Sequence, residues 1–337
     1  MNYRSVADLN KAIKKWIPTL PHDLDLIVGI PRSGMLVAAL IALYLNVPFT
    51  DVTGLVEGRI LATGRRPLAK PKELNKTFLN ILVVDDSVNS GKEMQRVKAI
   101  LEAARLPHKI YYAAVYVAPE GLQNVDFWYE IVDPPRVFEW NLMHHGIIMH
   151  SCVDLDGVLC RDPTQEENDD GPKYEHFLKS VPPLVIPTYP IGWIVTARLE
   201  KYRHLTEEWL QRHGIRYNEL IMLDLPNMKI RQLLGIHAQF KASVYQSVNA
   251  ALFIESSRKQ AIEICKLAKR PVFCFETGEM FNPNFAEFSY TLWSKFLTEA
   301  RRDPVKALGK AIRYVKKRMK SYKIKARLFL RGRINAI

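Results

Sequence analysis

A chain of 337 residues has room for two domains of ordinary size, and its composition, 48% hydrophobic and 25% charged, is that of a globular protein. No apolar run approaches the roughly 20 residues of a membrane span, and the polar, charged stretch from Met1 to Trp16 is not the pattern of a secretory leader. The net charge of +13 belongs to one end: residues 301–337 hold 14 Lys and Arg against one acid, Asp303, while the remaining 300 residues hold 34 bases and 34 acids.

Residues 24–30 read as a buried strand, followed by a turn at 31–34 and an apolar helix to about Leu45. Residues 79–84 read as a strand, 91–104 as a helix and 110–117 as another strand. Between Glu57 and Thr77 the chain turns polar and basic, with Arg59, Arg65 and Arg66 among its cations, and a long loop of this kind is often functional. Pro134, Pro135 and Gly146 interrupt the pattern, and a second alternation begins at His150. Strands are expected at 152–155, 192–195, 219–223, 250–254 and 271–275, with helices at 200–213 and 257–269. Strands alternating with helices argue for α/β architecture: two doubly wound parallel-sheet domains, 1–145 and 146–282, and a helical basic tail, 283–337. The four cysteines, Cys152, Cys160, Cys265 and Cys274, show no CxxC spacing and read as buried reduced thiols rather than zinc ligands or disulfides.

Two segments carry recognisable chemistry. In the first, the apolar run 81–84 ends in Asp85 and Asp86, then a small-polar loop, Ser87-Val88-Asn89-Ser90-Gly91, then Lys92 and a helix. Adjacent carboxylates at a strand's carboxyl end suit vicinal ribose hydroxyls, and backbone N–H groups at a helix start suit a phosphate. The segment resembles the phosphoribosyl-diphosphate (PRPP) motif of type I phosphoribosyltransferases. Gly29-Ile30-Pro31-Arg32-Ser33-Gly34 looks like that family's pyrophosphate loop, and the basic 57–77 segment falls where the family carries its flexible catalytic loop. The resemblance implies PRPP binding by Arg32, Ser33, Gly34, Asp85, Asp86, Ser87, Asn89, Ser90, Gly91 and Lys92. Two departures from an ordinary nucleobase-salvage pattern stand out. Asn89 occupies a position where many members carry an acid, and Glu93 would repel a phosphate if it pointed inward.

The second segment is Cys152-Val-Asp154-Leu-Asp156-Gly157. Two carboxylates two residues apart fall on one side of a strand end. They can share Mg²⁺ and divide the work of nucleophile and acid/base. The segment resembles motif I of haloacid dehalogenase (HAD) phosphatases. That resemblance implies that Asp154 attacks phosphorus and that Asp156 handles the leaving group's proton. Residues 193–198 look like motif II, with Thr196 on a phosphoryl oxygen. Lys241, with Lys229 as the alternative, would compensate charge. Residues 253–257 resemble motif IV, which makes Glu255, with Asp154 and Asp156, the expected Mg²⁺ ligand set.

In the tail, Val305, Leu308, Ile312, Val315, Met319 and Tyr322 recur at steps of three and four among cations, a helical stripe suited to an anionic bilayer surface. The same stripe also suits packing on its own domain, and the charge suits nucleic acid. His144 and His145 read as hinge or interface residues, and Trp128 and Trp140 as core packing or an acceptor platform. Taken together, the chain resembles bifunctional ribofuranosyltransferases of bacterial polysaccharide assembly. This implies phosphoribosyl transfer from PRPP to a lipid-linked glycan at the inner membrane face, then removal of the 5-phosphate. The alternatives are a purine-type salvage transferase with an accessory phosphatase, or a PRPP-sensing, RNA-binding regulator.

Overall fold

The computed structural model describes residues 1–61 and 79–283. Arg65 and Arg66, and the whole basic tail, lie outside the described residues.

The first unit opens with β1 (Asn2–Arg4) and α1 (Val6–Trp16). Ser5 and Asp8 cap α1 reciprocally: the Asp8 N–H donates to Ser5 Oγ, and the Ser5 N–H donates to the Asp8 carboxylate, both at 3.1 Å. Leu9, Ile13 and Trp16, spaced by four and three, turn into the core, a stripe interleaved with lysines. Then follow β2 (Leu26–Gly29), α2 (Gly34–Leu45), β3 (Phe49–Asp51), α3 (Val52–Val56), β4 (Asn80–Val88), α4 (Lys92–Ala103), β5 (Lys109–Val117) and β6 (Phe127–Ile131). The sheet runs β3-β2-β4-β5-β6, all parallel. The central strand β4 is buried on both faces. Leu82 and Val84 join the layer of α1 and α2, while Ile81 and Val83 join that of α4. Its ladder with β5 runs on through Val88, four residues past the expected end, so Asp85, Asp86 and Ser87 lie within the strand.

β7 (Arg136–Phe138) pairs with β1, and two 3₁₀ turns, Glu139–His144 and Gly146–His150, lead into the second unit. Leu142, Met143 and Ile148 are buried in that unit's core. The Tyr3 and Phe273 rings lie 5.7 Å apart, and the His144 Nδ1 is 2.9 Å from Thr188 Oγ1. The two units therefore share packed apolar surface, and His144 lies in the contact between them.

The second unit comprises β8 (Ser151–Val153), α5 (Pro172–Ser180), β9 (Ile191–Leu199), α6 (Arg203–Arg212), β10 (Tyr217–Leu223), α7 (Met228–Leu234), α8 (His237–Ser247), β11 (Leu252–Glu255), α9 (Arg258–Ala268), β12 (Val272–Cys274) and β13 (Glu279–Phe281). The sheet order is β10-β9-β8-β11-β12-β13, parallel except for β13. All four cysteines are buried and unpaired. No helix among the described residues is long and apolar enough to cross a membrane.

Candidate functional sites

In the first sheet the chain leaves β2 and β4 in opposite directions along the sheet, which opens a crevice at their carboxyl ends. The loop after β2 meets the end of β4 there. Ser33 stands at the N-cap of α2 without capping it; its Oγ donates instead to Asp86 Oδ1 at 2.7 Å. A Cβ on Gly34 would sit 2.8 Å from the Val84 carbonyl oxygen and 3.0 Å from Asp85 Oδ1, so only glycine lets the loop lie on the carboxylates. The other Asp86 oxygen accepts the Trp140 indole N–H at 2.7 Å. Burial and the adjacent Asp86 push the Asp85 carboxyl well above its ordinary range.

The loop after β4 ends at Gly91, with φ of 80°, where a Cβ would fall 1.9 Å from Asn124 Nδ2. Asn89, Ser90 and Lys92 are exposed at the opening, and Ser87 is half-buried. No side chain caps α4, so its first N–H groups remain free for an anion. Glu93 is turned along the helix onto Arg96, with a contact of 3.0 Å, and does not oppose a phosphate. Arg32 is exposed and has no ion-pair partner among the described residues. Arg59 is held by Asp51 and Glu57 at 3.8 and 3.4 Å. A cavity of about 250 Å³ adjoins this site, lined by Arg32, Ser33, Leu36, Trp140, Asn141 and His144.

In the second sheet the order reverses at β8, and a second set of carboxylates sits at its end. Lys241, on α8, is buried and bridges Asp154 Oδ2 at 2.7 Å and Glu255 Oε2 at 2.8 Å. Asp154, Lys241 and Glu255 are only 4%, 2% and 0% exposed. Burial and the Glu255 charge push the Asp154 carboxyl up, against the pull of Lys241. The two carboxylates in turn hold Lys241 protonated above its ordinary range, despite its burial. Asp156 is gripped elsewhere: Arg198, fully buried, donates through Nε at 3.0 Å and through Nη2 at 2.6 Å. Thr196 is buried beside them, and its Oγ1 accepts the Arg198 N–H at 3.2 Å. Lys229, the alternative cation, is exposed on α7.

Of the expected Mg²⁺ ligands, Asp154 and Glu255 share the Lys241 ammonium, and Asp156 pairs with Arg198. The charges of Glu255 and Asp156 both act on Asp154. Among the described residues no group of three or more His, Cys, Asp or Glu side chains is arranged for a metal.

Residues 2–147 match the family model of the phosphoribosyl transferase domain. This stretch is a phosphoribosyltransferase domain. No curated protein matches the chain. Among solved structures, the chain is similar to a purine phosphoribosyltransferase from Pyrococcus horikoshii, with 19% identity, 41% of this chain and 92% of that chain covered, and a TM-score of 0.32. It is also similar to the xanthine-guanine-hypoxanthine phosphoribosyltransferase of Helicobacter pylori, with 17% identity, 42% and 94% covered, and a TM-score of 0.33. The family match supports phosphoribosyl transfer with PRPP as a substrate for this domain.

Within the phosphoribosyltransferase domain, the Arg32–Gly34 loop and the Asp85–Lys92 segment are brought to one crevice. Trp140, which the sequence offers as packing or an acceptor platform, is in addition a direct partner of Asp86. No local sequence signal marks that contact, because 54 residues separate the two. Arg198 was legible as part of a motif but not as the partner of Asp156.

Proposed function

We propose that the chain is a two-step ribofuranosyltransferase that builds a bacterial polysaccharide of the O-antigen or capsule type. Its phosphoribosyltransferase domain passes a 5-phosphoribosyl unit from PRPP to a glycan, and its second unit, a HAD-type phosphatase, removes the 5-phosphate. The observation that carries this reading is the pairing, on one chain, of a phosphoribosyltransferase domain with a buried Asp–Lys–Glu site at the switch point of a second parallel sheet. A nucleotide-salvage enzyme would undo its own product with such a partner. A glycan that needs plain ribofuranose requires both steps.

In the first step the ribose hydroxyls bind at Asp85 and Asp86, the 5-phosphate on the N–H groups of the Ser87–Gly91 loop, and the diphosphate against Arg32, Ser33 and Gly34. An acceptor hydroxyl attacks the anomeric carbon, and the diphosphate departs with the bonding pair. Mg²⁺, typical of phosphoribosyltransferases, would enter with the diphosphate and supply charge neutralisation. The crowding of Asp85 by Asp86 is the local charge such a cation relieves. In the second step Asp154 attacks the phosphorus, and the ribose 5-oxygen leaves and is protonated. Water then cleaves the aspartyl phosphate. Thr196 holds a phosphoryl oxygen, Lys241 fixes the nucleophile, and Asp156, oriented by Arg198, serves the proton at the leaving oxygen and then at the water. Asp154, Asp156 and Glu255 are the residues that would hold Mg²⁺ at this site, where it would neutralise phosphoryl charge; Lys241 and Arg198 are the cations paired with them.

The basic tail, residues 301–337, lies outside the described residues. In this reading it rests on the anionic inner face of the plasma membrane, where a lipid-linked acceptor is presented. Incubation with PRPP, Mg²⁺ and candidate glycans tests the proposal. Mass spectrometry should show glycan carrying plain ribose. Conversion of purine bases to nucleotides with no glycan product would refute it.

A further inference from the structure

Arg231 stands beside Thr196 with no anion to balance it. It lies on α7, whose first turn is fixed from two sides: the Ile230 N–H donates to Asn227 Oδ1, and the Met228 N–H donates to Asp170 Oδ2, both at 3.0 Å. From there its guanidinium reaches back to the end of β9. Nη1 donates to the Ala197 carbonyl oxygen at 3.1 Å, and Nη2 lies 3.5 Å from Asn168 Oδ1. Its Nε is buried with no hydrogen-bond partner.

The other cations around this site are matched. Lys241 has Asp154 and Glu255, Arg198 has Asp156, and Lys201 has Asp170. No described carboxylate lies within ion-pair distance of Arg231. A half-buried guanidinium that lacks a counter-charge is costly to maintain, and the cost is recovered only when an anion arrives. Ala197 sits between Thr196 and Arg198 on β9, which sets the Arg231 guanidinium at the end of that strand, at the edge of the second site. His237 lies near the same two cations, Arg231 and Lys241. Burial lowers its pKa, and the neighbouring charges of Arg231 and Lys241 lower it further, which keeps the imidazole neutral and leaves the positive charge to Arg231 and Lys241.

We propose that Arg231 is a substrate-binding residue of the second site, gripping a non-bridging oxygen of the incoming phosphate monoester. The proposal rests on the phosphatase reading and adds to it a selectivity for doubly charged phosphate monoesters. A guanidinium can fork two phosphoryl oxygens and an ammonium cannot, so lysine should substitute only in part.

The test uses the full chain and three variants, Arg231→Ala, Arg231→Gln and Arg231→Lys, with inorganic phosphate as the binding probe and ribose 5-phosphate as substrate. Gln keeps a donor for the Ala197 carbonyl while removing the charge, so it carries the test if the Ala variant does not fold. Loss of a charge-assisted hydrogen bond predicts phosphate binding weakened, and KM raised, by about tenfold or more in the Ala and Gln variants. Circular dichroism melts and kcat should change little, and Lys should recover part of the loss. Phosphate binding unchanged from the wild type, or kcat lost at constant KM, overturns the proposal, as does a wild-type chain that binds no phosphate. Arg231-dependent phosphate binding without hydrolysis by the wild type would sustain Arg231 as an anion site and sink the phosphatase reading instead.

Discussion

Replacing Lys241 with methionine removes the cation that bridges Asp154 and Glu255 and leaves two carboxyl groups, 4% and 0% exposed, facing each other in a dry site. Breaking a buried ion pair by deleting one partner costs about 3–5 kcal/mol, set against a total stability of about 5–15 kcal/mol for a folded domain. The loss should depend on pH, and its sign follows from the carboxyls. In the variant, burial and the Glu255 charge, no longer opposed by Lys241, raise the folded-state pKa of Asp154 further above its unfolded value of about 4. A group raised in this way leaves stability intact below its unfolded pKa and removes it as pH rises through the folded value. The variant should therefore be close to wild type near pH 4 and fall progressively further behind it towards pH 8, because in the wild type Lys241 opposes part of the rise at Asp154. Urea unfolding followed by circular dichroism at several pH values measures this. A loss that is the same at acid and alkaline pH, or below about 1 kcal/mol throughout, would refute the picture of a buried carboxylate pair neutralised by one lysine.

Three further outcomes are expected. Changing Asp85 and Asp86 together to Asn should abolish PRPP binding by calorimetry in a folded protein, while hydrolysis of a preformed phosphoribosyl glycan persists. Gly91→Ala places a Cβ 1.9 Å from Asn124 Nδ2 at a positive φ; it should cost more than about 1 kcal/mol in thermal melts and weaken PRPP binding, with the second activity unaffected. The full chain should bind anionic vesicles with an affinity that falls as salt rises, each cation near the surface contributing about 1 kcal/mol. Truncation after Leu297 should release it without loss of either activity on short soluble acceptors.

The parts of the fold that could be read in advance are those where one stretch of chain carries its own signal. The apolar run into Asp85 and Asp86, followed by Gly91, marks a strand, a tight turn and a helix start within eleven residues, and the run into Asp154, followed by Gly157, marks a strand and a turn. Strand ends were less legible. The apolar signal of β4 stops at Val84, but the backbone ladder with β5 continues through Val88 because pairing needs no apolar side chains. The stripe of α1 was hidden by its lysines, and α5, α7 and α8 lacked a clean period. Side-chain partners across long separations were not legible at all. Trp140 on Asp86, Arg198 on Asp156 and Arg231 on Ala197 depend on topology, and only the folded chain brings them together. Spacing likewise reveals Asp154, Asp156 and Glu255 as acids but not the cations placed between them.

The central claim is that two activities act in series on one acceptor, and the Asp154→Asn chain tests it most directly. Incubated with PRPP, Mg²⁺ and the glycan acceptor, that variant should still transfer but no longer trim. Mass spectrometry should then find glycan bearing phosphoribose, where the wild type leaves plain ribose. Plain ribose product from the variant, or no phosphoribosyl glycan from either chain, would contradict the account.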